Sequence, residues 1–580
     1  MFKKVLVANR GEIAIRIMRA CRDLDIKSVA VYSDLDAEAP HVRFADEAYR
    51  VGPGAASESY LKVAAILDAA GRAQADAVHP GYGFLAENGR FAQAVGDAGL
   101  TWIGPSPGVI ESMGDKVAAR RAATDAGVAT VPGTPEPVSD PREVQAFAEA
   151  HGLPLAIKAA AGGGGKGFRV VHSEEEIGDA LAGAAREAEA YFSSPEVYLE
   201  RYLERPRHIE IQVLGDASGA ILSFPERDCS LQRRHQKLIE ESPSPALEPD
   251  VREAIMEAAA RVSKQVGYRN AGTCEFLLDA DARTFYFLEM NTRLQVEHPV
   301  TELVTGFDLV KAQILIAAQE PIEFSQDDIE LRGHAIECRI NAENPAKNFL
   351  PAPGDIAAYE EPHGPGVRVD SGVEGGGTVP QAYDPLVAKL ITYGATRDEA
   401  RRRMLRALGE YTIDGIKTTI PFHRLMLADE RFVKGDYHTG TVERELDLTG
   451  LAEPPVAKPS PGHARTTQRT LHIHADGKRF EVVVRAELDE LVPRRKPKPP
   501  AKVGHLGGGG SETLSAPMQG TIVKLLVKTG QKVEAGDPIC ILEAMKMENS
   551  ILAHVPGTVE ELKVEAGQSV ETGATIAVIR

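Results

Sequence analysis

The chain has 580 residues, more than one hydrophobic core can organise, since a domain usually holds about 100–200 residues. The sequence therefore predicts several domains. Apolar residues at 43% and charged residues at 26% exclude a wholly disordered or fibrous chain. The net charge of −18, from 66 basic and 84 acidic residues, argues against general binding to nucleic acid or to anionic membranes.

Neither export nor membrane insertion is predicted. No run of about 20 apolar residues occurs, and the opening MFKKVLVANRGEIAIR has too short an apolar stretch for a secretory signal. The five cysteines are scattered and include no CxxC pair, which predicts reduced thiols without a disulfide framework or zinc site. These features favour a cytoplasmic location.

The first elements predict a parallel sheet. Residues 4–8 (KVLVA) are typical of a buried strand, a helix pattern begins at Gly11, and residues 28–32 (SVAVY) are typical of a second strand. Strand, helix and strand within about 30 residues form a βαβ unit, which indicates an α/β fold. Because the turn at 9–12 (NRGE) lacks a GxGxxG pattern, no nicotinamide site is expected there. The alternation of strands and helices continues to about Asp447.

The composition changes after residue 447. Residues 451–510 contain eight prolines and end in a run of four glycines, which predicts a linker that is stiff at first and loose later. Within it, segments 470–474 and 479–484 flank an Asp476-Gly477 pair, which is typical of a hairpin turn. An isolated hairpin is marginally stable in water, so this one is expected to dock on another surface.

Residues 514–580 predict a small β domain made of two similar halves. Short strands are expected at 520–525, 538–542, 558–562 and 575–579. The sequence GTIV with two downstream glycines is echoed about 37 residues later by GTVE with two downstream glycines. The turn between the halves falls on residues 543–548 (EAMKME), which include Lys546.

A glycine-rich loop follows the predicted strand that ends at Lys158. It contains Gly164, Gly165, Lys166 and Gly167. Successive glycines let backbone N–H groups close over phosphate oxygens, and the two lysines add positive charge. The loop is not a Walker A motif, because no Gly-Lys-Ser/Thr opens a helix. The alternative is a flexible surface loop, and Lys158 favours the phosphate site.

A strong local pattern lies at residues 289–297 (EMNTRLQVE). If this segment is extended, every second residue from Glu289 to Glu297 shares one face. That face carries Glu289, Asn291, Arg293, Gln295 and Glu297, and Glu275 lies on the preceding strand. Two carboxylates and an amide oxygen suit Mg²⁺, and an arginine suits an anion such as bicarbonate. A solvent-facing strand would show the same alternation.

Together these segments resemble ATP-grasp enzymes and, more narrowly, biotin carboxylases, over about residues 1–447. The resemblance rests on KKVLVANRGEIAIRI at 3–17, HPGYGFLAEN at 79–88, IGPSP at 103–107, Lys116, the glycine loop, ERDCSLQRRHQKLIEESPSP at 226–245, EMNTRLQVEHPVTE at 289–302 and GHAIECRINAE at 333–343. It implies an N-terminal α/β domain at 1–113, an ATP-grasp domain at 114–325 with a mobile lid at about 130–203, and a C-terminal α+β domain at 326–447. A linker at 448–513, with the hairpin at 470–484, would precede an all-β biotinyl domain at 514–580.

The turn Ala544-Met545-Lys546-Met547 resembles the attachment motif of biotin carboxyl carrier domains. Lipoyl domains share that fold but usually present Asp-Lys-Ala without the paired methionines. The resemblance therefore implies covalent biotin on Lys546.

The resemblance also implies roles for individual residues. Glu297 would be the base that deprotonates bicarbonate, Arg293 its anchor, Lys237 a contact near the γ-phosphate, and Arg339 the stabiliser of the biotin enolate. Glu275, Glu289 and Asn291 would hold Mg²⁺ or Mn²⁺. The nucleotide site would comprise Lys116, Lys158, Gly164, Gly165, Lys166, Gly167, Glu200, Arg201, Tyr202, Leu203, His208, Gln232, His235, Lys237, Glu275, Leu277 and Glu289.

No carboxyltransferase pattern occurs in the chain, so the resemblance implies an acyl-CoA carboxylase α chain. Such a chain is modified by biotin protein ligase and works in a hetero-oligomer with a separate carboxyltransferase β subunit. The acceptor would be acetyl-CoA or propionyl-CoA, and the hairpin would dock the β subunit. Alternatives are the α chain of a pyruvate, methylcrotonyl-CoA, geranoyl-CoA or urea carboxylase, a carrier with an inactive ligase head, and a lipoyl carrier fused to another ATP-grasp ligase.

Overall fold

The computed structural model describes residues 1–134, 136–159, 168–192, 195–216, 218–322, 324–448, 451, 466–475, 478–487, 513–516, 520–544, 547–570 and 573–580. These residues fall in two compact units, Met1–Glu453 and Pro454–Arg580. Within the described ranges, no helix has both the length and the apolar character that crossing a bilayer requires.

The first unit combines helices with several sheets. Its helices are α1 Gly11–Asp23, α2 Pro40–Phe44, α3 Val63–Ala73, α4 Gly89–Asp97, α5 Pro107–Gly114, α6 Lys116–Asp125, α7 Pro141–His151, α8 Ile177–Phe192, α9 Pro249–Gln265, α10 His298–Thr305, α11 Leu309–Ala317, α12 Arg397–Glu410, α13 Ile420–Ala428 and α14 Glu430–Lys434. Its strands are β1 Lys4–Val7, β2 Lys27–Ser33, β3 Glu47–Gly52, β4 Ala77–His79, β5 Thr101–Trp102, β6 Leu155–Ala159, β7 Phe168–Val171, β8 Val197–Arg201, β9 Arg207–Gly215, β10 Ile221–Ser223, β11 Arg227–Arg233, β12 Gln236–Ser242, β13 Asn270–Leu278, β14 Phe285–Asn291, β15 His334–Asn341, β16 Glu343–Asn344, β17 Leu350–Pro351, β18 Gly354–Asp355, β19 Ala358–Glu360, β20 Val367–Ser371, β21 Thr378–Val379, β22 Leu386–Gly394 and β23 Thr412–Asp414.

The chain opens with a parallel sheet in the order β3-β2-β1-β4-β5. This arrangement confirms the predicted βαβ start. Helix α1 packs on the sheet through Ile13, Ile17 and Cys21, whose spacing of about one turn puts them on one buried face. The thiol of Cys21 is free, as are those of the other four cysteines, and all five are buried.

A second, larger sheet carries most of the candidate site. Its strands run antiparallel in the order β14-β13-β9-β11-β12-β15-β22-β20, and β10 pairs with β9. This sheet spans the predicted boundary between the ATP-grasp domain and the C-terminal domain, at residues 325 and 326. Strand β12, before the boundary, pairs with β15, after it, from Ile239↔Cys338 to Ser242↔Ala335. The two predicted domains therefore share one hydrogen-bonded sheet, and side chains from strands that are distant in sequence meet on it.

The segment predicted as a lid folds around a small sheet of its own. Strands β7 and β8 pair antiparallel with β6, and α7 and α8 cover them. The core of this part consists of buried side chains between Val138 and Leu199. Because this core is separate from the cores beneath the larger sheets, the segment is a distinct packing unit.

The second unit contains a hairpin and two four-stranded sheets. Its strands are β24 Thr466–Ala475, β25 Lys478–Glu487, β26 Thr513–Ser515, β27 Gly520–Leu525, β28 Lys532–Val533, β29 Pro538–Ala544, β30 Met547–Leu552, β31 Gly557–Leu562, β32 Ser569–Val570 and β33 Thr575–Ile579. The hairpin strands β24 and β25 pair along their whole length and are longer than the sequence predicts.

The two sheets of the second unit exchange strands between the predicted halves. Strand β27 of the first half pairs with β32 of the second, and β31 of the second half pairs with β28 of the first. The two halves thus occupy equivalent positions, which confirms the repeat predicted from the sequence. Antiparallel pairing of β29 with β30 brings Ala544 opposite Met547.

Candidate active site

A pocket of about 810 Å³ is lined by the β6-β7-β8 sheet, by the large sheet and by residues 439–444. Every predicted site residue within the described ranges lines it. These are Lys116, Lys158, Glu200, Arg201, Tyr202, Leu203, His208, Gln232, His235, Lys237, Glu275, Leu277, Glu289, Asn291, Arg293, Glu297 and Arg339. Gly164, Gly165, Lys166, Gly167 and Lys546 lie outside the described residues.

The predicted metal ligands lie on neighbouring strands. Glu275 on β13 is the direct cross-strand partner of Glu289 on β14, and Asn291 donates from Nδ2 to Glu275 Oε1 at 2.9 Å. Burial, followed by the negative charge of Glu275, raises the pKa of Glu289. Two carboxylates are thus held side by side, and the charge of Glu289 is the less compensated of the two.

Lys237 is the central cation of the pocket. Its Nζ lies 2.5 Å from Glu210, 2.6 Å from Glu297 and 3.1 Å from Glu275. Burial alone would lower the pKa of Lys237, but the three carboxylates outweigh burial and hold the pKa well above its ordinary value. The lysine therefore stays charged, and it ties the predicted base to the predicted metal site.

Glu297 lies between two cations. Its Oε1 accepts from Lys237 and its Oε2 accepts from Arg339 Nη2 at 2.8 Å, while Arg339 Nε donates to Glu240 at 2.6 Å. Burial would raise the pKa of Glu297, but Lys237, Arg339 and Arg227 lower it well below its ordinary value. The carboxylate is ionised and fixed in orientation.

Arg293 lies at the edge of this group, with its side chain about one-fifth exposed. Its Nε donates to Glu87 at 3.0 Å, and its Nη2 donates to Asn291 Oδ1 at 2.9 Å. The guanidinium is thereby oriented by Glu87 of the HPGYGFLAEN segment, which begins at the last residue of β4. The sequence places Glu87 in a motif but predicts no role for it.

A buried scaffold beneath the pocket is not predicted from the sequence. Arg227 is fully buried on β11 and its guanidinium is saturated by hydrogen bonds. The acceptors are Glu210, Gln212, Thr273, Gln295 and Thr301. A signal for this scaffold is present in β9, where His208, Glu210 and Gln212 alternate with the apolar residues Ile209, Ile211 and Val213.

The other end of the pocket is lined by the small sheet. Lys158 on β6 pairs with Glu200 on β8 at 2.6 Å, and the two residues lie on adjacent, hydrogen-bonded strands. His208 on β9 lies 2.9 Å from Glu275, whose charge outweighs burial and raises the pKa of the imidazole. A row of polar groups thus connects the small sheet to the acidic pair.

The structure corrects one expectation about the 289–297 segment. Strand β14 ends at Asn291, and Glu297 is already the residue that precedes helix α10, which carries Pro299 in its first turn. Alternation along a strand therefore does not explain why Arg293, Gln295 and Glu297 reach the pocket. A turn after Asn291 brings them there, and proline at the start of α10 suits the helix because its missing N–H is not needed there.

Comparison with known proteins gives four matches to family models. Residues 1–110 match the biotin carboxylase N-terminal domain, and residues 115–324 match the ATP binding domain of the carbamoyl-phosphate synthase L chain. Residues 337–444 match the biotin carboxylase C-terminal domain, and residues 512–579 match the biotin-requiring enzyme family.

Whole-chain relatives agree with these matches. The chain is 51% identical over 567 residues to the biotin-dependent acyl-coenzyme A carboxylase alpha3 subunit of Mycobacterium leprae, covering 95% of this chain and 94% of the relative. It is 53% identical over 449 residues to the biotin carboxylase of Haemophilus influenzae, covering 77% and 100%. The solved biotin carboxylase domain of a thermophilic 2-oxoglutarate carboxylase, bound to ADP, superposes with a TM-score of 0.74 at 46% identity, covering 78% of this chain and all of that one.

The fold, the acidic pocket and these matches define an ATP-dependent carboxylating ligase of the ATP-grasp class. The chain belongs to the family of biotin-dependent acyl-CoA carboxylase α subunits, which join a biotin carboxylase to a biotinyl domain in one polypeptide. It therefore catalyses the ATP-dependent carboxylation of biotin.

Proposed function

We propose that this chain uses MgATP and bicarbonate to carboxylate a biotin carried on Lys546, for transfer to a short acyl-CoA on a separate β subunit. The observation that carries this proposal is the convergence of Glu297, Lys237, Arg293 and Arg339 beside the Glu275–Glu289 pair. The biotin carboxylase domain of Hydrogenobacter thermophilus 2-oxoglutarate carboxylase, solved in complex with MgADP and bicarbonate, is 46% identical with a TM-score of 0.71 and supports the two substrates.

The donor set fits a divalent cation. Glu210 and Glu275 are already compensated by Lys237 and His208, but Glu289 keeps a raised pKa because it is buried beside Glu275. Glu275 and Glu289 would hold a hard cation, whose charge would offset the repulsion between the two carboxylates. Asn291 would join them through its amide oxygen, which accepts from Arg293 Nη2 in this structure. Bound there, Mg²⁺ or Mn²⁺ would neutralise charge on the transferring γ-phosphoryl group.

Replacing Glu289 with glutamine is expected to raise the Mg²⁺ concentration for half-maximal ATP cleavage by about 10- to 100-fold, since one charged ligand is lost. Because the pKa of Glu289 is raised, protonation competes with the metal. The wild-type Mg²⁺ requirement should therefore increase as pH falls, and the variant should lose part of this dependence. Glu257→Gln, on the exposed face of α9, is the matched control. Equal Mg²⁺ requirements in the three proteins would exclude Glu289 as a ligand.

Bicarbonate binding is assigned to Arg293 and proton removal to Glu297. A free carboxylate with a strongly lowered pKa is a weak base, and Lys237 and Arg339 are the cause of the lowering. Bicarbonate and the phosphates of ATP would share those cations when they bind, which brings the pKa of Glu297 back toward its ordinary range. Lys237, which lowers the pKa of Glu297 in this structure, would then also contact the γ-phosphate of ATP.

Arg339 is assigned to the biotin step. Its guanidinium is fixed by Glu240 on one side and Glu297 on the other, so a cation is held at a defined place in the pocket. A fixed cation stabilises negative charge that develops on the ureido oxygen without having to reorganise.

The nucleotide is assigned to the end of the pocket beside the small sheet. Among the residues that line the pocket, Lys158, Glu200 and Arg201 lie on the small sheet. The other proposed nucleotide contacts in the lining are Lys116, Tyr202, Leu203, His208 and His235. The glycine loop, which the sequence predicts as a phosphate cradle, follows β6 directly in the chain. Closure of the predicted lid, at about residues 130–203, over bound ATP would exclude water from the phosphoryl transfer step.

The acceptor is proposed to be acetyl-CoA or propionyl-CoA. The α chain of Mycobacterium leprae, similar along nearly the whole length, favours an acyl-CoA over pyruvate, because the matching pyruvate carboxylase chain of Methanothermobacter thermautotrophicus aligns with only 76% of this chain. The test is reconstitution of the biotinylated chain with its β subunit in the presence of labelled bicarbonate. Label should enter acetyl-CoA or propionyl-CoA, and label only in pyruvate, methylcrotonyl-CoA, geranoyl-CoA or urea would replace this assignment.

The five free cysteines support a reducing, cytoplasmic setting.

The β24–β25 hairpin is proposed as the docking element for the β subunit. Deleting residues 468–486 is expected to abolish both β-subunit co-purification and transfer to acyl-CoA, because the paired strands would be removed. Bicarbonate-dependent ATP cleavage with free biotin should stay unchanged and serves as the internal control. A deletion variant that still binds the β subunit would contradict this role.

A further inference from the structure

Lys389 is a fully buried lysine in the middle of β22. In the sheet register it stands directly opposite Arg339 on β15 and opposite Asp370 on β20. A buried ammonium group is costly unless it is paired and hydrogen-bonded, so each of its contacts carries weight.

The ammonium of Lys389 faces three acceptors. Its Nζ donates to the backbone carbonyl of Val296 at 2.9 Å and lies 3.3 Å from Glu12 Oε2 and 3.8 Å from Asp370 Oδ2. Val296 immediately precedes Glu297, so this hydrogen bond fixes the peptide that carries the proposed base. Lys389 thus donates one hydrogen bond, to the Val296 carbonyl, and forms ion pairs with the two carboxylates.

The carboxylate of Asp370 and the backbone of Glu12 are themselves held in place. Arg368 donates two hydrogen bonds to the Asp370 carboxylate, from Nη2 at 2.7 Å and from Nε at 3.1 Å. Glu12 lies in the first turn of α1, and a Cβ on Gly372, just after β20, would come within 2.6 Å of the Glu12 backbone nitrogen. The backbones of Gly372 and Glu12 are therefore too close to admit a side chain at position 372. This close contact positions α1 against the large sheet beside Lys389.

Burial raises the pKa of Glu12 to about 7, with Lys389 acting in the opposite direction. The charge of Glu12 therefore depends on the lysine. Removing Lys389 alone would leave a buried carboxylate without its partner, which complicates the interpretation of a single variant.

We propose that Lys389 is a positioning residue that holds the Val296–Glu297 peptide for proton transfer, with Glu12 of the N-terminal sheet domain as its anchor. The inference rests on the proposed function, in which Glu297 takes the proton from bicarbonate. It makes the geometry of the base depend on a residue of α1 that lies outside the pocket lining.

The test uses the full chain with Lys389→Met in a Glu12→Gln background, so that no buried charge is left unpaired. The kcat of bicarbonate-dependent ATP cleavage is expected to fall about 10- to 100-fold, the scale of a small misplacement of a catalytic group. The KM for ATP should stay within about twofold, because the nucleotide end of the pocket is untouched. Glu12→Gln alone should show a smaller fall in kcat. Lys4→Met, which breaks the ion pair with Glu47 on the N-terminal sheet, is the matched control.

A wild-type kcat in the double variant would overturn the inference. So would a loss of kcat that merely parallels a loss of ATP affinity and thermal stability, since that pattern indicates a structural role alone. If the double variant does not fold, Glu12→Gln decides, and a wild-type kcat there also overturns the inference. Glu297→Gln is measured beside them: an inactive Glu297→Gln with an active double variant refutes only the role of Lys389, whereas an active Glu297→Gln refutes the proposed function.

Discussion

Replacing Glu297 with glutamine is expected to lower kcat for bicarbonate-dependent ATP cleavage by roughly 10²- to 10⁴-fold, the usual contribution of a positioned acid–base group. Glutamine keeps the shape of the side chain but cannot accept the bicarbonate proton. Lys237 retains Glu210 and Glu275, and Arg339 retains Glu240, so both cations keep a carboxylate partner in the variant. The KM for ATP is expected to change less than kcat, because Lys237, the proposed γ-phosphate contact that pairs with Glu297, keeps Glu210 and Glu275 as partners.

The matched control is Glu330→Gln, an exposed carboxylate paired with Arg332, which should leave kcat unchanged. Stability provides a second readout for Glu297. Its pKa is lowered in the folded chain, so it stabilises the fold above its ordinary pKa near 4.5, and this contribution is lost as pH falls below that value. Glu297→Gln should thus unfold at a lower temperature than wild type at neutral pH, and the gap should narrow in acid. A wild-type kcat would remove Glu297 from the proposed role.

Local sequence patterns predicted the parallel N-terminal sheet and the duplicated β domain well. In both cases the signal is short-range: apolar runs and helical spacing around α1, and the repeated GTIV and GTVE strands. The Glu275–Glu289 pair is also predictable from the sequence, because the two residues belong to consecutive strands that pair antiparallel. Sequence proximity and spatial proximity coincide for this acidic pair.

The remainder of the site depends on long-range topology. Arg339 meets Glu240 and Glu297 because β15 joins the large sheet beside β12, a pairing that no local pattern encodes. The resemblance to biotin carboxylases identified Arg339, but it gave no reason to select Glu240. Lys389 was missed for the same reason: alone in an apolar strand, it lies beside Glu12 only after the N-terminal helix and the large sheet have packed.

Arginine in place of Lys546 is expected to abolish biotin attachment completely. The prediction rests on the sequence and on the pairing around it, since Met545 and Lys546 fall between Ala544 and Met547, which are register partners at the ends of β29 and β30. A biotinyl group is joined through an amide to a lysine amine, and a guanidinium keeps the charge but does not form that bond. The two-fold arrangement of β27, β28, β31 and β32 does not involve Lys546, so the fold should persist.

The measurement is the intact mass of the full chain after coexpression with a biotin protein ligase. Wild type should gain one biotinyl group and Lys546→Arg none, while Lys532→Ala, an exposed lysine of β28, should remain biotinylated. Because the carboxylase pocket belongs to the other unit, Lys546→Arg should still cleave ATP with bicarbonate and free biotin but fail to deliver carboxylate to acyl-CoA. Tethering explains the difference, since attachment keeps biotin at high effective concentration near both sites. A lipoyl mass on wild type, or biotin retained by Lys546→Arg, would place the carrier function elsewhere and leave the first unit as a ligase without an assigned carrier.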